Sequence, residues 1–165
     1  MANTTWFDMD GTIYDLYKQA GWLQALRSED WERAFYLGKP RAHIDRINAA
    51  IEALAGNGWK VGIITWAPKG YGWDDEQIEE VAMVKHRWAC EFTPFLADCS
   101  FACIPYGVSK AQFLLDMEQA GELNYLVDDN KEVRKDWRSH SCKGCTFKTV
   151  NASRSFYRVL EGLVM

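Results

Sequence analysis

The sequence predicts an α/β fold, a Rossmann-like three-layer sandwich with a mainly parallel sheet and a small helical cap. Two observations carry that expectation. Short apolar runs at residues 4–8, 59–65, 100–104, 123–127 and 146–150 alternate with segments of helical period, and alternation favours a parallel sheet with helices on both faces. The run WKVGIIT at 59–65 is nearly continuous in apolar residues, which suits a strand covered on both sides. With 165 residues, 48% of them apolar, the chain is long enough for one domain with a proper core.

Taken in order, residues 4–8 read as a strand rich in β-branched and aromatic side chains. Residues 15–27 place Leu16, Ala20, Leu23 and Leu26 at helical spacing. Ser28 then reads as the N-cap of a second short helix, EDWERAFYL, stopped by Gly38-Lys39-Pro40. Residues 43–55 form a clearer amphipathic helix with Ile44, Ile47, Ile51 and Leu54 on one face, ended by Gly56-Asn57-Gly58. After the strand 59–65 come the loop WAPKGYGWDD, a helix over about 75–90, the short strand 100–104 and a helix over about 109–120. The strand 123–127, a short helix to about residue 138, the strand TFKTV and a helix over about 153–163 complete the chain. The stretch 14–42 falls between the first strand and the first long helix; its size suits a small lid on one domain spanning 1–165.

Composition narrows the function. No apolar run approaches the roughly 20 residues a membrane span needs. No basic region followed by an apolar stretch opens the chain, so a soluble cytoplasmic protein is expected. The net charge of −4 argues against broad nucleic-acid binding, which needs a basic face. Cys90, Cys99, Cys103, Cys142 and Cys145 are expected as free thiols. Cys99-x3-Cys103 and Cys142-x2-Cys145, with His140 nearby, have loose zinc-like spacings without a surrounding fingerprint, and Cys142-Lys143-Gly144-Cys145 reads more simply as a turn carrying two thiols.

The polar residues are more telling. In an open parallel sheet, ligands bind outside the carboxyl ends of the strands. The first strand ends in Asp8 and Asp10, the second in Thr65, and the strand 123–127 in Asp128 and Asp129. Four carboxylates and a hydroxyl therefore converge on one edge, and like charges so placed need compensation. A hard divalent cation between Asp8 and Asp128 supplies it, and an all-oxygen donor set favours Mg²⁺ over zinc. Beside Thr65, Lys69 could reach a phosphate, and Trp66, Tyr71 or Trp73 could stack on a base or pack on the lid. In the lid, Trp22, Trp31, Phe35 and Tyr36 are either core or pocket wall. Lys39 and Arg41 are weaker candidates for a phosphate contact, and the three histidines show no triad or metal spacing.

These residues resemble the motifs of the haloacid dehalogenase-like hydrolases. Asp8-Met9-Asp10-Gly11-Thr12 looks like the DxDGT motif, Thr65 like the second motif, Lys110 in GVSKAQF like the third, and Asp128-Asp129 like the fourth in its paired form. The likeness runs in order from residue 4 to about residue 150. Thr65-x-x-Pro68-Lys69, Lys85-x-x-Trp88 and the terminal Asp-Asp-Asn further resemble the 5′(3′)-deoxyribonucleotidases and their bacterial and phage relatives, with a shorter lid and Trp66 where a small hydroxyl residue is common.

The resemblance implies a Mg²⁺-dependent phosphomonoesterase. Asp8 would be the nucleophile and Asp10 the general acid and base. Thr65 would bind phosphate and Lys110 would stabilise the transition state. Asp8, the Asp10 carbonyl, Asp128 and Asp129 would hold the metal. The implied substrate is a nucleoside monophosphate. A nucleic-acid end or another phosphorylated substrate, a phosphotransferase or mutase, and a non-catalytic nucleotide- or protein-binding module are the alternatives. The short lid leaves the site open unless a partner, such as a second copy in a homodimer, covers it.

Overall fold

The computed structural model describes residues 2–153 and 155–165. Its centre is one five-stranded sheet in which every neighbouring pair is parallel. The strands are β1 (Thr4–Phe7), β2 (Lys60–Trp66), β3 (Phe101–Ile104), β4 (Leu123–Asp128) and β5 (Thr146–Asn151), in the spatial order β3-β2-β1-β4-β5. The chain builds outward from β1 to one side, then crosses back and builds to the other. The direction reverses between β1 and β4, and a crevice opens at such a switch point outside the carboxyl ends of the strands.

Side-chain alternation along the strands fills two separate layers. Phe7, Ile63, Val127 and Val150 face one cluster with α3 (Ile44–Gly56), α4 (Glu76–Phe92), α5 (Pro94–Cys99) and α8 (Phe156–Glu161). Their immediate neighbours Trp6, Ile64 and Leu126, with Phe147, face the other cluster with α6 (Lys110–Asp116) and α7 (Lys131–Ser139). The expected three-layer sandwich is therefore present, and all of its strand pairings are parallel. No helix among the described residues is long and apolar enough to cross a membrane.

The lid departs in detail. In place of one helix over 15–27, the chain forms a 3-10 turn at Leu16–Lys18 and then α1 (Trp22–Arg27). Gly21 separates them with φ of 75°, a left-handed value that breaks helical propagation. Helix α2 (Trp31–Phe35) follows, with the Asp30 side chain accepting from the Arg33 N–H as its cap. At the base of the lid, Tyr14 bridges Pro40 in antiparallel fashion, and the Asp15 and Arg41 N–H groups donate to Lys39 O and Ile13 O. The Tyr14 ring is fully buried, edge-on to Trp88, and its hydroxyl accepts from the Gly38 N–H.

Three other expectations change. Helix α5 was not anticipated; Pro94 opens it at a position where a missing N–H costs nothing. Helix α6 ends at Asp116 instead of about residue 120, where Glu118 takes a left-handed φ of 55°. The last helix, expected from about residue 153, takes in Arg154, which lies outside the described residues; α8 itself starts at Phe156.

The expectation of five free thiols is also corrected. Cys142 and Cys145 form a disulfide across a tight turn just before β5, where the chain folds back on itself and brings the two residues opposite each other. That pairing leaves no zinc site there, and Cys90, Cys99 and Cys103 remain free.

Candidate active site

Strand β1 ends at Phe7, so Asp8 is the first residue beyond the sheet. Its N–H still donates to Val127 O, which ties it to the end of β4. The chain then turns: the Thr12, Ile13 and Tyr14 N–H groups all donate to Met9 O, and Gly11 takes φ of 78°. A side chain at Gly11 has no room, because a Cβ there would lie 2.5 Å from Asp129 Oδ2 and 2.6 Å from the Tyr17 ring. The DxDGT segment is thus a tight loop that carries Asp8 and Asp10 out of strand alternation and seats Asp129 against its glycine.

Asp128, the last residue of β4, is buried beside Asp8. One of its oxygens accepts from Lys110 Nζ at 2.8 Å and the other from the Asn130 N–H at 2.8 Å. Lys110 opens α6, capped by the Ser109 hydroxyl, and its ammonium also donates to Asp8 Oδ1 at 2.6 Å. A carboxylate oxygen from each of Asp8, Asp128 and Asp129 lies within 4.8 Å of the others, close enough for one ion to contact all three. Such donors suit a hard cation that prefers oxygen.

Burial and like charge shape the protonation of this cluster. Desolvation, with the Asp8 charge added, pushes Asp128 up to about 6. Burial also raises Asp10, opposed by the Lys85 ammonium, and burial together with the neighbouring Asp8 charge raises Asp129. For Lys110, burial pulls downward, but the Asp8 and Asp128 charges outweigh it and hold the ammonium above the ordinary lysine value.

Lys85 is the residue sequence reasoning left without a role. It lies in the middle of α4 and is fully buried. Its Nζ donates to Asp10 Oδ2 at 2.5 Å, Thr65 Oγ1 at 3.0 Å and the Trp66 carbonyl at 2.8 Å. A signal was present: Ile78, Val81, Lys85 and Trp88 form one buried helical stripe, and a lysine in such a stripe needs partners.

A cavity of about 300 Å³ opens over the carboxylates. Asp8, Asp10, Lys110, Asp128 and Asp129 line its polar side, and Trp66, Ala67, Pro68 and Lys69 contribute from the β2 loop. The lid supplies Leu16, Tyr17, Trp22, Leu26 and Phe35, and Tyr106 closes the side next to Trp66. Tyr17 and Tyr106 were not singled out from sequence, because loop aromatics carry no period that reveals where they point.

The remaining candidates sort as follows. Thr65 is fully buried, accepts from Lys85 and does not line the cavity. Trp66 does line it, fixed by its indole N–H donating to Val108 O at 2.9 Å, with the Lys110 ammonium 5.4 Å from its ring. Lys69 is exposed at the cavity wall. The Arg41 guanidinium donates to Gly11 O at 2.5 Å and Ala152 O at 3.1 Å, which braces the loop after β1 against the chain after β5. Lys39 is exposed and away from the cavity. Trp31 and Tyr71 pack edge to face and do not line the cavity over the carboxylates, and the exposed Trp73 stacks on Phe113.

No protein-family model matches the chain, and no curated protein matches it in sequence.

Proposed function

We propose that the chain is a Mg²⁺-dependent phosphomonoesterase of the haloacid dehalogenase type, acting on a nucleoside monophosphate through an aspartyl-phosphate. One observation carries the reading. At the switch point of a parallel sheet, Asp8 faces a cavity with Lys110 bonded to it, Asp128 and Asp129 in reach of the same ion, and Asp10 two residues on. The motif resemblance points the same way.

The residues fit a divalent cation. Four carboxylates (Asp8, Asp10, Asp128, Asp129) gather around two ammonium groups (Lys85, Lys110), an excess that one such ion cancels. Asp8, Asp128 and Asp129 would hold it. When bound, Mg²⁺ supplies charge neutralisation at the phosphate, which lets an anionic nucleophile approach.

The chain's own residues then divide the work. An Asp8 oxygen attacks phosphorus as the bond to the leaving oxygen breaks, and Asp10 gives that oxygen a proton. Asp10 next takes a proton from water as the water oxygen attacks phosphorus, and the Asp8–phosphate bond breaks to release inorganic phosphate. Lys110 balances the charge that grows on the transferring group. The aromatic walls Tyr17, Trp22, Trp66 and Tyr106 support a ring-bearing alcohol, and a cavity of this size fits a small ligand better than a macromolecular one.

The test is phosphate release from ribo- and deoxynucleoside 5′- and 3′-monophosphates, sugar phosphates and a 5′-phosphorylated oligonucleotide, with Mg²⁺ and with EDTA. Release that requires both Mg²⁺ and Asp8, and that is greatest with a mononucleotide, is the expected result. Release that persists in Asp8→Asn removes the mechanism. No release from any ester removes the reading.

A further inference from the structure

We propose that Lys85 is a positioning residue that fixes the orientation of the Asp10 carboxyl for proton exchange with the leaving group; this rests on the phosphatase reading above. Lys85 reaches the site from behind. It is buried, does not line the cavity, and spends its three N–H bonds on Asp10, Thr65 and the Trp66 carbonyl. An ammonium with no donor left has nothing to offer a substrate. It also joins the loop after β1 to the end of β2, elements separated by 50 residues or more of sequence.

The two oxygens of Asp10 are unequal as a result. Oδ2 is pinned at 2.5 Å, whereas Oδ1 is buried without a hydrogen-bond partner among the described residues. Oδ1 has no accessible surface, so what Lys85 sets is the direction of the carboxyl as a whole, and a group that protonates a leaving oxygen in one step and accepts from water in the next must be held in a fixed direction. Without Lys85, the carboxyl can rotate and either oxygen can turn away.

The lid enters the same arrangement. The Phe35 ring of α2 lies 4.6 Å from the Lys85 ammonium, and three residues along α4 the Trp88 indole donates to Gly38 O at the end of the lid. The lid, Asp10 and the end of β2 thus share one buried cation.

The experiment compares wild type, Lys85→Met, Asp10→Asn and the double variant on two esters: a nucleoside monophosphate, whose alkoxide leaves poorly without a proton, and p-nitrophenyl phosphate, whose phenolate leaves readily. Thermal melts establish that each is folded; Lys85→Gln, which keeps a shorter donor, replaces Lys85→Met should that variant not fold. The expected result is a fall in kcat/KM of about 100-fold on the nucleotide and less than about 5-fold on the aryl ester, the signature of a weakened general acid. In the Asp10→Asn background, loss of Lys85 should cost nothing more. Equal losses on both esters, or losses that multiply in the double variant, overturn the proposal while the phosphatase reading stands. A wild type inactive on every ester overturns both.

Discussion

The Lys110 ammonium and the Asp8 carboxylate meet at 2.6 Å although 102 residues separate them in the chain. The same ammonium bonds Asp128, so one cation stands between two buried acids at the ends of neighbouring strands. Removing one member of such a buried arrangement leaves uncompensated charge, at a cost of roughly 3–5 kcal/mol. Lys110→Met should lower the stability of the EDTA-treated protein by about that amount in a denaturant titration. Mg²⁺ should restore part of the loss, because a divalent cation takes over the neutralisation. On the proposed mechanism hydrolysis should still fall by about 100-fold or more, since Lys110 is there the group that balances the transition state.

Asp128 gives the metal-free protein a pH dependence of unusual sign. Its folded value of about 6 lies above the 3.8 of an unperturbed aspartate. Between those values the folded state holds a proton that the unfolded state has released. The contribution to stability is complete below 3.8 and is lost as pH rises through about 6. In EDTA, Asp128→Asn should therefore flatten the decline in melting temperature between pH 5 and pH 7.5. A decline equally steep in the variant would show that Asp128 is not its source.

Gly11 ties the loop conformation to the acid cluster. Alanine there meets a left-handed φ, which costs about 1–2 kcal/mol, and places its Cβ against Asp129 and Tyr17. Gly11→Ala should destabilise the protein by on the order of 2 kcal/mol and weaken Mg²⁺ binding in a calorimetric titration, because Asp129 must move. Unchanged Mg²⁺ affinity would separate Asp129 from the metal.

Much of the site was legible in the sequence because its carboxylates follow apolar strands directly. Asp8 and Asp128 stand one residue past Phe7 and Val127, and parallel order alone brings those ends together. Lys110 was legible through the likeness of GVSKAQF to a known motif, since a lysine at a helix start is otherwise an ordinary surface residue. Lys85 was harder, since a buried lysine on a long helix looks like a surface one until its stripe-mates Val81 and Trp88 are noticed. Thr65 was placed correctly at the end of β2, but its hydroxyl faces Lys85, a pairing across 20 residues that no local pattern encodes. The Cys142–Cys145 bond escaped because spacing does not tell a thiol pair from a disulfide.

That disulfide lies at the start of β5, at the opposite end of the strands from the acids, and closes a very short loop. Its entropic contribution should be only about 2 kcal/mol, so reduction should lower the melting temperature modestly and leave hydrolysis intact. Thiol labelling at pH 8 should modify Cys90 and Cys99, which are exposed, ahead of Cys103. Burial pushes Cys103 up to about 11, and a raised thiol value means less reactive thiolate at any given pH. Rapid labelling of all five cysteines without reductant would show that Cys142 and Cys145 are not paired.

Tyr106 offers the cleanest test of what the cavity recognises. The residue is 51% exposed and its ring meets Trp66 at 4.9 Å between centroids, while Trp66 is held by Val108 and packs near the Lys110 ammonium. Tyr106 can therefore be truncated at little cost to the fold, whereas Trp66 cannot. A nucleobase stacked on this wall would gain about 1–3 kcal/mol from the exposed ring. Tyr106→Ala should raise KM for a nucleoside monophosphate by about 10-fold or more, with kcat nearly unchanged, because the stacking contact is the same in the ground and transition states. Glycerol phosphate has no ring to lose, so its KM should stay within about 2-fold of wild type. Equal changes for both esters would show that the aromatic wall shapes the site without reading the base.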